Sequence, residues 1–200
     1  MKSLLAATVV LMLSAVAVTM AAPESQQLGP FAVSFDMNTD LPHQMVTAEP
    51  IEAPTANIYS MQIATDNSTK AIITVSEYNS PIDSTLGLYK QISAMSMALI
   101  YFNTTDVQDR AFDGKEGFLL VCEPSQFNTA APAGAKLYNA MYWLDSVGCE
   151  CGPVSVGTTS VDITSSYPQD VTESLLSSLK IEKGQAATTS TPSGQILPPG

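Results

Sequence analysis

The chain has 200 residues, of which 19 are acidic and 8 are basic, and its formal net charge is −11. A surface this acidic repels the phosphate backbone, so a nucleic-acid partner is excluded, and docking on anionic lipid is disfavoured. The length suits a single domain with a hydrophobic core of its own, which does not need disulfide bonds to replace that core.

The first 21 residues have the pattern of a secretory signal peptide. Lys2 is followed by an apolar run from Leu4 to Val18 and then by small residues, which is the usual order of regions in such a peptide. Cleavage is predicted after Ala21. Retention as an anchor is the alternative, because the run is nearly long enough to span a bilayer. We therefore predict a secreted protein of the extracellular cell envelope, with no membrane contact after cleavage.

Two tripeptides have the acceptor pattern for N-glycosylation, and they begin at Asn67 and Asn103. Such acceptors are expected on surface loops of exported proteins. The sequence thus predicts a glycoprotein that carries sugar at one or both of these asparagines.

The first half of the chain predicts strands and then a helix. After a leader at 22–30, "FAVSF" and "QMVTAE" are expected strands, and "NIYSMQIA" and "KAIITVSEY" form a hairpin around the turn "TDNST". In the helix that follows, Leu88, Ile92, Met95 and Leu99 recur at helical spacing. We expect this stripe to face the core, with the methionines as core filler.

The second half predicts further strands and a second helix. "DVQDRAF" and "FLLVC" should form a hairpin around "DGKEG", and "KLYNAMYWLDS" and "CECGPVSV" should be strands. The last helix should bury Val171, Leu175 and Leu179. The fold class is therefore α+β, an antiparallel sheet with two helices packed on one face. It spans residues 22–183, and a disordered Ser/Thr/Pro-rich tail occupies 184–200.

The sequence offers no catalytic set. His43 is the only histidine, it lies in a predicted solvated loop, and no Gly-x-Ser-x-Gly segment is present. The stretch "DMNTD" at 36–40 begins like a calcium loop, but Leu41 and Thr47 stand where that loop needs Gly and Glu. We predict that the protein is not an enzyme and uses no cofactor and no metal.

Three cysteines, Cys122, Cys149 and Cys151, are candidates for a disulfide or a cross-link. If Cys149 and Cys151 share a strand, their Cα atoms lie about 6.7 Å apart, which strains a direct bridge. A bridge from Cys122 to either one is easier if the strands are neighbours, and it leaves one thiol for an intermolecular bond. Inert buried thiols and a soft-metal site remain alternatives.

Three segments carry a resemblance to known proteins. "LGPFAVSFDMN", "DGKEGFLLV" and "VDITSSYPQDVTESLLSSLKIEK" are similar to segments of small exported α/β domains from methanogen cell envelopes, which resemble the photosystem II extrinsic protein P/Mog1 fold. The resemblance covers roughly residues 28–183 and carries no catalytic residue. Together with export, acidity and spare cysteines, it also suggests the archaeal proteins that polymerise into tubular sheaths.

These observations give one leading hypothesis and one alternative. The leading one is a structural subunit that self-assembles, in an amyloid-like manner, through strand pairing and disulfide cross-links. Its partners would be copies of itself and other envelope components. "AIITVSEY" and "FLLVC" have the β-propensity that such pairing needs, although an ordinary core strand is the preferred interpretation of either segment alone. The alternative is a monomeric extracytoplasmic module that binds a small ligand or an envelope complex.

Overall fold

The computed structural model describes residues 23–132, 134–145, 147–149 and 152–184. Within these ranges it contains twelve strands and two helices. The strands are β1 (Glu24–Leu28), β2 (Phe31–Phe35), β3 (Gln44–Thr47), β4 (Ile51–Glu52), β5 (Ala56–Ala64), β6 (Lys70–Thr85), β7 (Phe102–Phe112), β8 (Lys115–Pro124), β9 (Leu137–Trp143), β10 (Val147–Cys149), β11 (Gly152–Ser165) and β12 (Lys180–Lys183), and the helices are α1 (Leu86–Leu99) and α2 (Gln169–Ser178). The predicted signal peptide, Cys151 and nearly all of the predicted tail lie outside the described residues.

The strands form two antiparallel sheets. The large sheet has nine strands, with the order β3-β5-β6-β11-β9-β8-β7, while β4 pairs with β5 and β10 pairs with β11. The small sheet has the order β1-β2-β12. Together with the two helices, this confirms an antiparallel α+β fold in which strands dominate. Neither helix of the described chain is long and apolar enough to cross a membrane.

The two helices pack against opposite faces of the large sheet. Leu175 of α2 belongs to a buried cluster with Leu119, whereas Met97 of α1 belongs to a second cluster with Phe118 and Leu120. Adjacent residues of a strand point to opposite faces. Phe118 and Leu120 of β8 therefore lie on the α1 face of the sheet, and Leu119 lies on the α2 face. The predicted placement of both helices on one face is therefore corrected. The α2 side is also covered by the small sheet, which adds Phe31, Val33 and Ile181 to the same cluster.

Helix α1 turns the unexpected side towards the sheet. It buries Ser93 and Met97, and Leu86 and Tyr89 pack against the second cluster. The predicted core stripe points outward instead, so the expectation that it faces the core is wrong. The helix carries apolar residues on both sides, and the sheet selects the side with Tyr89, whose ring meets Trp143 edge-on at 5.5 Å.

Two short-range predictions are confirmed, the turn between β7 and β8 and the buried side of α2. Asp113 and Gly114 both have positive φ, 47° and 74°, in the tight turn between β7 and β8. Positive φ at both central residues is the requirement of a type I′ hairpin, for which Asp-Gly is a preferred pair. Helix α2 buries Val171 and Leu175, with Leu179 also buried at its end, as its periodicity predicts.

Candidate assembly surfaces

One edge of the large sheet, strand β3, is open and uncharged. It pairs with β5 on its inner side, and no described strand pairs with its outer side. All four of its residues are exposed, including Val46 at 59%. Natural sheets protect edges with charge, proline or bulges, because an unprotected edge is a template for further strand pairing. The strand "QMVT" has none of these protections within its four residues.

The opposite edge, β7, is protected. It carries Asp106, Asp109 and Arg110, and its register with β8 shifts between Thr104 and Asp106. Arg110 forms an ion pair with Glu173 of α2 at 2.6 Å. Charge and a register irregularity both discourage edge-to-edge pairing. The two edges of the sheet thus differ, and β3 is the one suited to accept another strand.

The two segments that the sequence nominated for strand pairing are interior. "AIITVSEY" lies in β6, which pairs with both β5 and β11. "FLLVC" lies in β8, which pairs with both β7 and β9. Their backbone groups are used within the sheet, so both segments are ordinary core strands and neither is free to pair between copies. Their high β-propensity reflects their central position in the sheet, where "AIITVSEY" buries alternate residues and "FLLVC" is buried on both faces.

Cys122 is a free, buried thiol in β8. Burial raises the pKa of the Cys122 thiol, partly offset by a hydrogen bond with the Thr104 hydroxyl, whose oxygen lies 3.6 Å from Sγ. A buried thiol with a raised pKa is a poor nucleophile. Its surroundings match the inert-thiol alternative.

Register places Cys122 far along the sheet from Cys149. Cys122 lies opposite Leu137, and β9 runs from there to Trp143, which lies opposite Ser160 of β11. Strand β11 continues in the same direction to Gly152, which lies opposite Cys149. The path is on the order of 40 Å of strand, against a Cα separation of about 7 Å at most in a disulfide. The predicted Cys122–Cys149 bridge is not compatible with this register.

Cys149 lies at the end of a strand of a hairpin. Strand β10 ends at Cys149, and β11 begins at Gly152. The expectation that Cys149 and Cys151 share a strand face stays a prediction. Cys151 itself lies outside the described residues. The hairpin runs past the Trp143 end of β9, so Cys149 belongs to a part of the fold remote from Cys122.

The two glycosylation candidates occupy different settings. Asn67 is exposed in the turn between β5 and β6, where the Asp66 carboxylate accepts the backbone N–H groups of Ser68 and Thr69 at 2.7 Å each. Asn103 is exposed too, but it lies within β7 rather than in the predicted loop. Both side chains are accessible, and glycosylation of either stays a prediction.

His43 lies in a loop, as predicted, but it is not solvated. Its side chain is 14% exposed, and its Nε2 lies 2.8 and 2.9 Å from the two Glu24 carboxylate oxygens. Its Nδ1 lies 3.0 Å from the Leu41 carbonyl oxygen. Burial lowers the pKa of His43, but the hydrogen bonds and the Glu24 charge outweigh it and raise the pKa above 6.5. Both ring nitrogens face acceptors, so the ring links β1 to the loop before β3 and does so most strongly when it is protonated.

A buried polar network between β9 and β11 escaped sequence reasoning. Asn139 is 2% exposed, and its amide donates to the Asp162 carboxylate at 3.0 Å and to Thr164 at 3.2 Å. Burial raises the pKa of Asp162, and these partners offset the effect only in part. The strand alternation in "VDITS" hints that Asp162 faces away from the core of Val161 and Ile163. Nothing in the sequence shows that Asn139 lies beside it.

No described residues form a metal-binding cluster of three or more His, Cys, Asp or Glu side chains. In the 36–40 stretch, the Asp36 carboxylate accepts the Asn38 backbone N–H at 2.7 Å, and Met37 is buried. That stretch is thus a local turn whose first carboxylate is occupied by the backbone.

The outward side of α1 is apolar. Leu88, Ile92, Met95 and Leu99 are 48%, 46%, 69% and 81% exposed. These four residues are called the α1 stripe below. A contiguous set of large apolar side chains in solvent is unusual for a monomer and marks an interaction surface.

Comparison of the chain with protein-family models, curated proteins and solved structures finds no match. The functional argument therefore depends on the chain's own residues and on the surfaces described above.

Proposed function

We propose that this protein is an exported structural subunit of the cell envelope, which self-assembles by strand pairing at the β3 edge and is strengthened by disulfide cross-links between copies. The observation that carries the proposal is the open β3 edge. Its outer backbone groups have no partner among the described strands, and its exposed side chains Met45 and Val46 carry no charge. Pairing of two such edges satisfies the backbone of both.

The cysteines support the cross-linking part of this function by their separation. Cys122 is buried and lies far along the sheet from Cys149, so these two cysteines do not form a bridge within one chain. Because an exported chain meets oxidising conditions, a cysteine without a partner in its own chain can form a bond between copies. The resemblance of several segments to exported methanogen envelope domains agrees with this role.

The experiment compares matched lysine substitutions on the two sheet edges. Val46→Lys on β3 introduces a charge that opposes strand pairing, and Val107→Lys, which is 49% exposed on β7, is its control. We expect Val46→Lys to abolish polymers in electron micrographs and sedimentation, while Val107→Lys assembles like the native chain. Polymers that survive Val46→Lys would refute pairing at β3.

The cross-links are tested on the same material with non-reducing and reducing gels. We expect disulfide-linked ladders that collapse on reduction, persist in Cys122→Ser, and disappear in the Cys149→Ser/Cys151→Ser double variant. A single monomer band under every condition, without polymers in micrographs, would contradict the structural role. That outcome would favour the monomeric extracytoplasmic binding module.

A further inference from the structure

The α1 stripe has no covering partner within the described chain. Its four side chains lie opposite the face that packs on the sheet. The next two residues, Ile100 and Tyr101, are also exposed, at 49% and 57%. We propose that the stripe is a second self-association face, at which α1 packs against α1 of another copy about a two-fold axis. The inference rests on the proposed function, for which it supplies a second contact between subunits.

Spacing along the helix is compatible with a helical partner. The stripe residues are separated by four, three and four positions, which is the a/d repeat of helices that pack side by side. Met97, which faces the sheet, lies at an f position of the same repeat, opposite the seam. A strict a/d stripe is narrow and fits a single helix better than a flat sheet. The other described helix, α2, keeps its own stripe in the core, so α1 itself supplies the matching surface.

Charge favours a second copy over other partners. The chain carries a net charge of −11, so two copies repel over most of their surface. The α1 stripe and its flanking positions Gln91, Ser96 and Ala98 are uncharged. The helix's single charged residue, Lys90, pairs with Asp109 of β7. This face is thus one at which two acidic copies can approach, and it offers no carboxylate to attract a cationic partner.

The small flanking residues and the predicted sugars are also compatible with a close approach. Ser96 and Ala98 beside the seam leave room for the side chains of a facing helix. Phe102 and Thr104 of β7 face the α1 side, since Phe102 packs against that cluster and Thr104 contacts Cys122. Asn103 between them points to the other face, so a sugar there would leave the stripe free.

The two contacts lie in different parts of the sheet and therefore build a chain of subunits. Helix α1 packs mainly on β7 and β8, whereas β3 forms the other edge. A self-complementary contact closes a dimer when it acts alone. Two such contacts on different faces alternate along an open filament, in which strand pairs and helix pairs follow each other.

The test isolates the helix contact by blocking the strand contact. In the Val46→Lys variant, kept reduced so that no disulfide joins two copies, we expect a dimer by analytical ultracentrifugation at micromolar concentration. Adding Met95→Glu buries two like charges at the two-fold contact, and we expect the dimer dissociation constant to rise about 100-fold. The matched control is Ile51→Glu, which places the same charge at a side chain 60% exposed near the β3 edge. It should leave the constant within about twofold, because it lies outside the stripe.

Unchanged circular dichroism and Trp143 fluorescence in Met95→Glu will show that α1 remains folded. A monomeric Val46→Lys variant, or a reduced dimer that Met95→Glu leaves intact, would overturn the helix contact. Strand pairing and disulfide cross-links would then remain as the two contacts of the proposed function. If the native chain forms dimers but no polymers, and Met95→Glu dissociates these dimers, the proposed polymer is refuted and the helix contact is retained. If the protein is monomeric and co-floats with phosphatidylcholine vesicles, and Met95→Glu abolishes this flotation, the partner of the stripe is a neutral lipid surface and not a second copy.

Discussion

The orientation of α1 is tested by two methionines two positions apart. Met97 is 8% exposed and Met95 is 69% exposed, yet both are unbranched and lie within the same helix. Replacement of either by alanine changes helix propensity by the same small amount. Any difference between the two variants therefore reports burial alone.

The expected magnitudes are well separated. Truncation of a buried methionine to alanine removes its apolar contacts and leaves a cavity, at a cost of about 2–5 kcal/mol. The corresponding change at an exposed position costs within about 0.5 kcal/mol. For a domain of this size, each kcal/mol lowers the melting temperature by about 2–4 °C. We expect Met97→Ala to melt roughly 4–20 °C below the native chain, and Met95→Ala to melt close to it.

The assay is urea and thermal unfolding at concentrations at which the protein is monomeric, followed by circular dichroism. Trp143, the only tryptophan, shares a buried cluster with Met97, so its fluorescence should change in Met97→Ala and stay constant in Met95→Ala. If Met95→Ala proves as destabilising as Met97→Ala, or more so, the outward placement of the stripe is refuted.

Three further predictions concern stability. Asp162→Asn should stabilise the fold at pH 7 and give no such gain near pH 3. The pKa of Asp162 is raised in the folded state, so the native protein loses stability as pH rises from the unfolded pKa to the folded pKa. Equal effects of the substitution at both pH values in urea titrations would contradict this. Glu24→Gln should be destabilising below pH 6.5 and nearly neutral at pH 9. The pKa of His43 is raised in the folded state, so its pairing with Glu24 gives stability that is lost as pH rises through the folded pKa. A difference in unfolding free energy between variant and native chain that grows with pH would contradict the ion pair. Gly117→Ala should cost about 1–3 kcal/mol or more, because a Cβ there would lie 2.4 Å from the Met141 carbonyl oxygen. Gly87→Ala in α1, where the nearest atom is 3.7 Å away, should instead stabilise by about 0.5–1 kcal/mol, and a reversed order in thermal melts would refute the packing.

Features that depend on neighbours in the chain were accessible from the sequence. The Asp113-Gly114 turn follows from the preference of two adjacent residues for positive φ. The buried face of α2 follows from one apolar stripe with polar residues around it. The strand alternation in "FLLVC" correctly places Phe118, Leu120 and Cys122 on one face. Each of these is decided within about a dozen residues.

Features that depend on which elements meet required the tertiary structure. Helix α1 has two apolar sides, so periodicity alone cannot choose between them, and the aromatic cluster at Trp143 makes the choice. Asn139 and Asp162 are 23 residues apart in the chain, and only the pairing of β9 with β11 brings them together. His43 and Glu24 are 19 residues apart in the chain, and they meet because the loop before β3 lies beside β1.

The sequence by itself determined the local chemistry of this protein: its acidity, its strands and turns, the inner face of α2 and the residues available for cross-links. The tertiary structure decided which of these remain accessible. It placed β6 and β8 in the interior of the sheet, left β3 open, separated Cys122 from Cys149 and turned the α1 stripe outward. The reason is physical, because exposure depends on long-range strand order, and that order arises from contacts between segments that no local pattern records.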